Sequence, residues 1–144
     1  MKERTIASLG TLVQLRSLDV DRLQADLASQ EATRARYQNN LARLDSLANG
    51  SGASGALPPV LALNCGAYKQ NVMAMADLHR TDLALHEANM AVSQRTLSDA
   101  YTRRELLGKV LEQQQDLHAR DQERALRKRE DDIATQSWLA GRAA

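Results

Sequence analysis

His79, Asp82 and His86 fall at i, i+3 and i+7. On a helix that spacing strings two imidazoles and a carboxylate along one stripe, and such groups ligate zinc or nickel. The same spacing sets the two rings about 10 Å apart along the axis, whereas a metal–nitrogen bond is about 2 Å long. One ion cannot serve both rings. The three residues are read as polar members of a packed helix face, and neither a metal nor any other cofactor is expected. A second cluster, Arg120, Arg124, Arg127, Lys128 and Arg129, has the charge to meet phosphate. Asp121, Glu123, Glu130, Asp131 and Asp132 are interleaved with it and cancel the field that counterion release requires. That segment reads as a solvated face or a surface for a charged protein partner, not for nucleic acid. The chain has no glycine-rich phosphate loop, GxSxG, HExxH or CxxC. No enzyme is expected.

The elements that carry these residues are legible in the composition. The 144 residues include no Phe, one Trp and three Tyr, so the aromatic payload of a globular core is missing. Ala, Leu, Arg, Gln, Asp and Glu dominate, which is the composition of long helices or coiled coil. With 19 basic against 18 acidic residues the net charge is +1, too balanced for a phosphate-neutralising protein. The longest apolar stretches fall short of a membrane span, so no direct membrane insertion is expected. The start, MKERTIASLGTLVQL, lacks the pattern of a signal peptide. Cys65 is alone, which forbids an internal disulfide and suits a reducing cytoplasm.

Stepping three and then four from Ile6 gives Leu9, Val13, Arg16, Val20, Leu23, Leu27, Gln30, Arg34, Tyr37, Leu41, Leu44 and Ala48. All but Arg16, Gln30 and Arg34 are apolar or Tyr, so the heptad seam predicts a helix over 3–48, with Leu12, Leu15 and Leu18 widening it. A second seam runs through Val72, Ala76, Leu83, Met90, Leu97, Ala100, Leu107 and Leu111. His79, His86, Ser93 and Arg104 share it, Leu78, Leu85, Val92 and Leu106 flank it, and it predicts a helix over 66–140. Between the two lies NGSGASGALPPVLALNC, residues 49–65, with both prolines and no charge. Neither helix can bury its seam alone, so this stretch is a bend that lets the chain reverse. Pro58 or Pro59 can open a helical turn there. Leu57, Val60, Leu61 and Leu63 are expected to fold back over the helix tips.

The fold class is therefore all-α: two long helices forming an antiparallel coiled-coil hairpin, a single unit over 1–144 with no deep pocket for catalysis. If residue 48 lies near residue 66, the chain start lies near residue 111. The last thirty or so residues then overhang, held chiefly by i to i+4 charge pairs. Met90 reads as seam filling, while Met75 shares the flanking stripe with Leu78 and is expected to be exposed. Trp138, in the overhang, either folds back or anchors a contact.

Three stretches carry a family resemblance. ARYQNNLARL closes the first helix at residues 35–44, Gly66-Ala67-Tyr68 opens the second ahead of Val72 and Met75, and RALRKREDDIATQ occupies 124–136. With these the chain resembles, over essentially its whole length, the FliJ family of the bacterial flagellar type III export apparatus. Asn71 stands where that family usually has Phe. The resemblance implies a non-enzymatic stalk whose terminal end enters the export ATPase ring. There Arg120, Arg124, Arg127 and Trp138 would make the contact. It further implies docking on the cytoplasmic linker of the export gate through Asn71, Met75, Leu78 and Asp82, and handling of export chaperones. The implied location is cytoplasmic, peripheral at the inner membrane's cytoplasmic face, with the free protein monomeric. Two other readings share the architecture: the stalk of an injectisome-type secretion system, and a homodimerising coiled-coil scaffold.

Overall fold

The computed structural model describes residues 2–50 and 58–143. Helix α1 spans Lys2–Gly50 and helix α2 spans Pro59–Ala143, with 49 and 85 residues, and no strand is present among the described residues. The long helices pack against each other as an antiparallel hairpin, and by contacts the chain divides into two compact units. One is Val20–Asp99; the other joins Met1–Asp19 to Ala100–Ala144.

Helix α2 begins ahead of the expected residue 66. Pro59 sits at the first helical position, where its missing N–H costs nothing, and Pro58 accepts the first bond from the Ala62 N–H at 3.1 Å. The turn anticipated at the prolines thus runs on into α2. Val60, Leu61 and Leu63 are exposed at 70%, 50% and 73%, so they do not fold back over a helix tip. The reason is register: Ala48 and Asn49 share a groove with Lys69, Met73 and Ala76, so the first turns of α2 run past the end of α1. Leu57 lies outside the described residues.

In the Val20–Asp99 unit every seam position is buried or half-buried, from Val20 to Ala48 on α1 and from Val72 to Leu97 on α2. Among the described residues only Val20, Ala48, Val72 and Ala76 are fully buried, because two helices alone leave each seam residue open on its flanks. Partners run in opposite senses: Gln30 reaches Ser93, Arg34 reaches Glu87 and Asp45 reaches Arg80. In the other unit the half-buried seam is Ile6, Leu9, Val13 and Arg16 against Ala100, Arg104, Leu107 and Leu111. Leu15 and Leu18, expected to widen it, are 54% and 64% exposed. They project beside the seam rather than into it. Here Lys2 pairs with Asp121 and Glu3 lies 3.7 Å from His118, so the chain start meets Asp121 rather than residue 111. The overhang is correspondingly shorter and begins after Gln122.

Gln30 shows what a polar seam residue costs. Its Nε2 donates to Ser93 Oγ at 3.0 Å, but its Oε1 is buried without a partner. A buried unsatisfied acceptor costs about 1–3 kcal/mol. Gln30→Leu with Ser93→Ala should raise unfolding stability by about 1 kcal/mol, read as a higher denaturant midpoint at unchanged slope.

Candidate functional site

The histidine–aspartate stripe resolves into seam and surface. His79 and His86 are half-buried, while Asp82 is exposed. Tyr37 of α1 stands between the imidazoles, with ring centroids 5.7 Å from His79 and 5.8 Å from His86. His86 Nε2 donates to the backbone carbonyl of Gln30 at 2.8 Å. That bond is a registration device: it ties a ring on α2 to one turn of α1 and fixes which turn faces which. Among the described residues no group of His, Cys, Asp or Glu is placed to hold a metal ion.

The two flanks of the seam in this unit differ. On one, Arg34 Nε donates to Glu87 at 3.0 Å and its Nη1 to Glu31 at 3.2 Å, while Arg80 bridges Asp45 at 2.7 Å and Asp77 at 2.8 Å. The hydrogen bond to Glu87, then the charge of Glu31, hold the Arg34 guanidinium still more firmly protonated than usual. An open groove of about 560 Å³ lies beside this triad, floored by Leu27, Ala28, Met90 and Leu97. Its only charged groups are Glu31, Arg34 and Glu87, already spent on one another, and its lining offers no Ser, Cys or His. The other flank carries Asn71, Met75, Leu78 and Asp82, one stripe stepping four, three, four, and all four are exposed. Met75 is 55% and Leu78 67% exposed, as the sequence predicts. Leu85 and Val92, placed only as seam flanks by the sequence, extend this stripe in the open at 64% and 60%. Their heptad spacing from Leu78 is the signal that could have joined them to it.

In the terminal unit, Arg120, Arg124, Arg127 and Trp138 are all exposed, and every described residue from Ala119 onward is exposed. Trp138 does not fold back: at 60% exposure its ring is covered only by Arg142, whose guanidinium carbon is 4.8 Å from the centroid. This is a cation–π pair that keeps a flat aromatic face in water. Arg127 is held by Glu123 one turn away. Of the basic residues here Arg127 thus already has an acidic partner on its own helix.

Where the chain start meets α2, the hydrogen bond from Lys2, then its charge, hold the Asp121 carboxyl below its ordinary value of 3.8. A depressed carboxylate supports the paired state above that ordinary value, and the support fades as pH falls below it. Lys2→Ala should return the Asp121 titration midpoint towards 3.8, checked by carbon-detected NMR titration of the side chain.

No helix among the described residues is long and apolar enough to cross a membrane. No curated protein and no solved structure matches the chain. A family model does, over nearly its whole length: that of the flagellar FliJ protein, matching residues 5–143. Two long antiparallel helices and that match have one reading: the chain belongs to the FliJ family of flagellar export proteins.

Proposed function

We propose that the chain acts as a stalk in the flagellar export ATPase ring and links that ring to the export gate and to export chaperones, without catalysis of its own. The observation that carries this reading is the overhang of α2. From Gln122 onward a described helix continues with every side chain exposed and presents Arg124, Arg127 and Trp138 to a partner. A helix held only by exposed charge pairs is marginal in water. Binding within a ring supplies the missing packing. The stripe of Asn71, Met75, Leu78 and Asp82 serves as the gate-docking patch, and its exposure supports that role. Work at the gate places the protein peripherally, at the cytoplasmic face of the inner membrane. The family match favours the flagellar over the injectisome-type system.

The test is the turnover of the purified flagellar export ATPase from the same organism, with the full chain and with a chain ended after Gln122. That cut spares the Lys2–Asp121 and Glu3–His118 contacts and removes only the overhang. The full chain should promote ring assembly and raise turnover, and the shortened chain should do neither. Equal effects of the two chains would remove the overhang from the mechanism; no effect of either would remove the stalk.

A further inference from the structure

Leu12, Leu15, Leu106, Val110 and Leu117 belong neither to the seam nor to the overhang. Leu12 is half-buried; Val110 is 42% exposed and the other three are more than half exposed. Leu12, Leu15, Leu106 and Val110 each stand one residue before a seam position, and Leu117 stands one before the half-buried His118. In the Val20–Asp99 unit the residues with that offset, Asp26, Ser29, Val92 and Thr96, line one hollow from both helices. The offset therefore marks a single flank of an antiparallel pair. In the terminal unit the Lys2–Asp121 and Glu3–His118 contacts set the register, which brings Leu12 level with Val110 and Leu15 level with Leu106. These side chains form an apolar band across both helices, bounded on one side by Asp19 and Arg103. Leu18, also exposed, lies two residues past Arg16 and so faces away from the band.

From Leu106 through Val110, steps of three and four reach Leu117 and run on to Arg120, Arg124 and Arg127. No acid interrupts these two heptad lines between Leu106 and Arg127, and among the described residues Arg120 and Arg124 form no ion pair. We propose that the apolar band and the basic line are one continuous contact surface for the export ATPase ring, whose facing wall is apolar opposite the band and acidic opposite the arginines. The inference rests on the stalk reading and deepens it, because the contact begins before the overhang, where both helices are still paired. Adjoining large apolar side chains left in water mark a contact surface. In such a contact the apolar anchors carry most of the affinity, while the charges at its edge set orientation and the rate of encounter. A second copy is the poorer occupant. This stretch laid on itself brings bases and no acids, so its arginines go uncompensated, whereas an acidic wall meets them.

The experiment follows turnover of the purified export ATPase from the same organism against the concentration of the full chain and of three variants. Leu106→Glu with Val110→Glu should raise the half-saturating concentration at least about tenfold, yet reach the parent's maximal turnover because the overhang is intact. Arg120→Glu with Arg124→Glu should also raise it, and the parent's own half-saturating concentration should climb with added salt. Leu18→Glu, on the opposite face, should stay within about twofold of the parent. All these sites are exposed, so helix content by circular dichroism should not move. A Leu106/Val110 variant that saturates at the parent's concentration overturns the proposal and leaves the stalk reading standing. A parent without effect on the ATPase removes the stalk, and this surface with it. A parent whose sedimentation mass climbs from 15.9 kDa towards twice that value, while the Leu106/Val110 variant stays a monomer, gives the band to a second copy and likewise overturns the proposal.

Discussion

Replacing Ala76 with Glu should lower the thermal midpoint of the Val20–Asp99 unit by more than about 10 °C. Ala76 is 2% exposed, opposite Ala48 at 7%, and the two small side chains line one groove where α1 ends. Of the two basic residues on that groove, Arg80 is already held by Asp45 and Asp77, which leaves only Lys69 to meet a carboxylate there. It must either stay charged in a packed site or push the helices apart, and breaking into such a site costs about 3–5 kcal/mol. For a domain of this size each kcal/mol is worth about 4–8 °C. Since only four described residues are fully buried, no larger core absorbs the loss. Ala74→Glu, at an exposed position two residues away, is the control and should shift the midpoint by less than about 2 °C. Thermal circular dichroism of both variants is the measurement. Equal shifts would mean that the seam near Ala76 is not the structural anchor described.

The second large effect concerns the proposed docking patch. Met75→Glu with Leu78→Glu should weaken binding to a purified export-gate linker at least about tenfold, because exposed apolar anchors carry most of such contacts. Both residues are more than half exposed, so the hairpin should keep its helix content. The opposite change is equally informative. Asn71 lies one turn before Met75 on the same stripe and gives the patch an amide where the family usually has an aromatic ring. Asn71→Phe should tighten binding several-fold by adding a flat anchor beside Met75. Titration calorimetry of the three proteins decides it. A loss without the matching gain would place the gate contact elsewhere on the stripe.

Much of this architecture was legible in the sequence because coiled-coil periodicity is a local signal. Every α1 position obtained by stepping three and four from Ile6 to Ala48 is buried or half-buried, including the polar exceptions Arg16, Gln30 and Arg34. The α2 seam, with His79, His86, Ser93 and Arg104 in it, behaves likewise. What periodicity does not carry is register between helices. The expected pairing of residue 48 with 66 gave way to Ala48 beside Ala76, and the chain start moved to Asp121. Those alignments depend on which turn of one helix accepts which side chain of the other. His86 on the Gln30 carbonyl and Tyr37 between two imidazoles are examples. Seam width is hidden for a similar reason. Leu15 and Leu18 read as core by hydrophobicity, yet two helices have too little facing surface to cover them. At the candidate surface, exposure of Met75 and Leu78 followed from their offset to the seam. The run-on to Leu85 and Val92 is written in their heptad spacing from Leu78, but which flank the ion pairs close needed the structure, because that depends on the neighbouring helix.

The unlike flanks also make the Val20–Asp99 unit respond unevenly to ionic strength. The two interhelical ion pairs among its described residues, Arg34–Glu87 and Arg80–Asp45, lie at the surface on the same side. Dissolved salt screens exposed charges over about 8 Å under physiological conditions and over less as its concentration rises. Apolar contact on the other side is untouched or strengthened, depending on the salt. One edge of the helix pair therefore loosens in brine while the other holds, so amide hydrogens near Arg34 and Arg80 should exchange faster with added salt than those near Leu85.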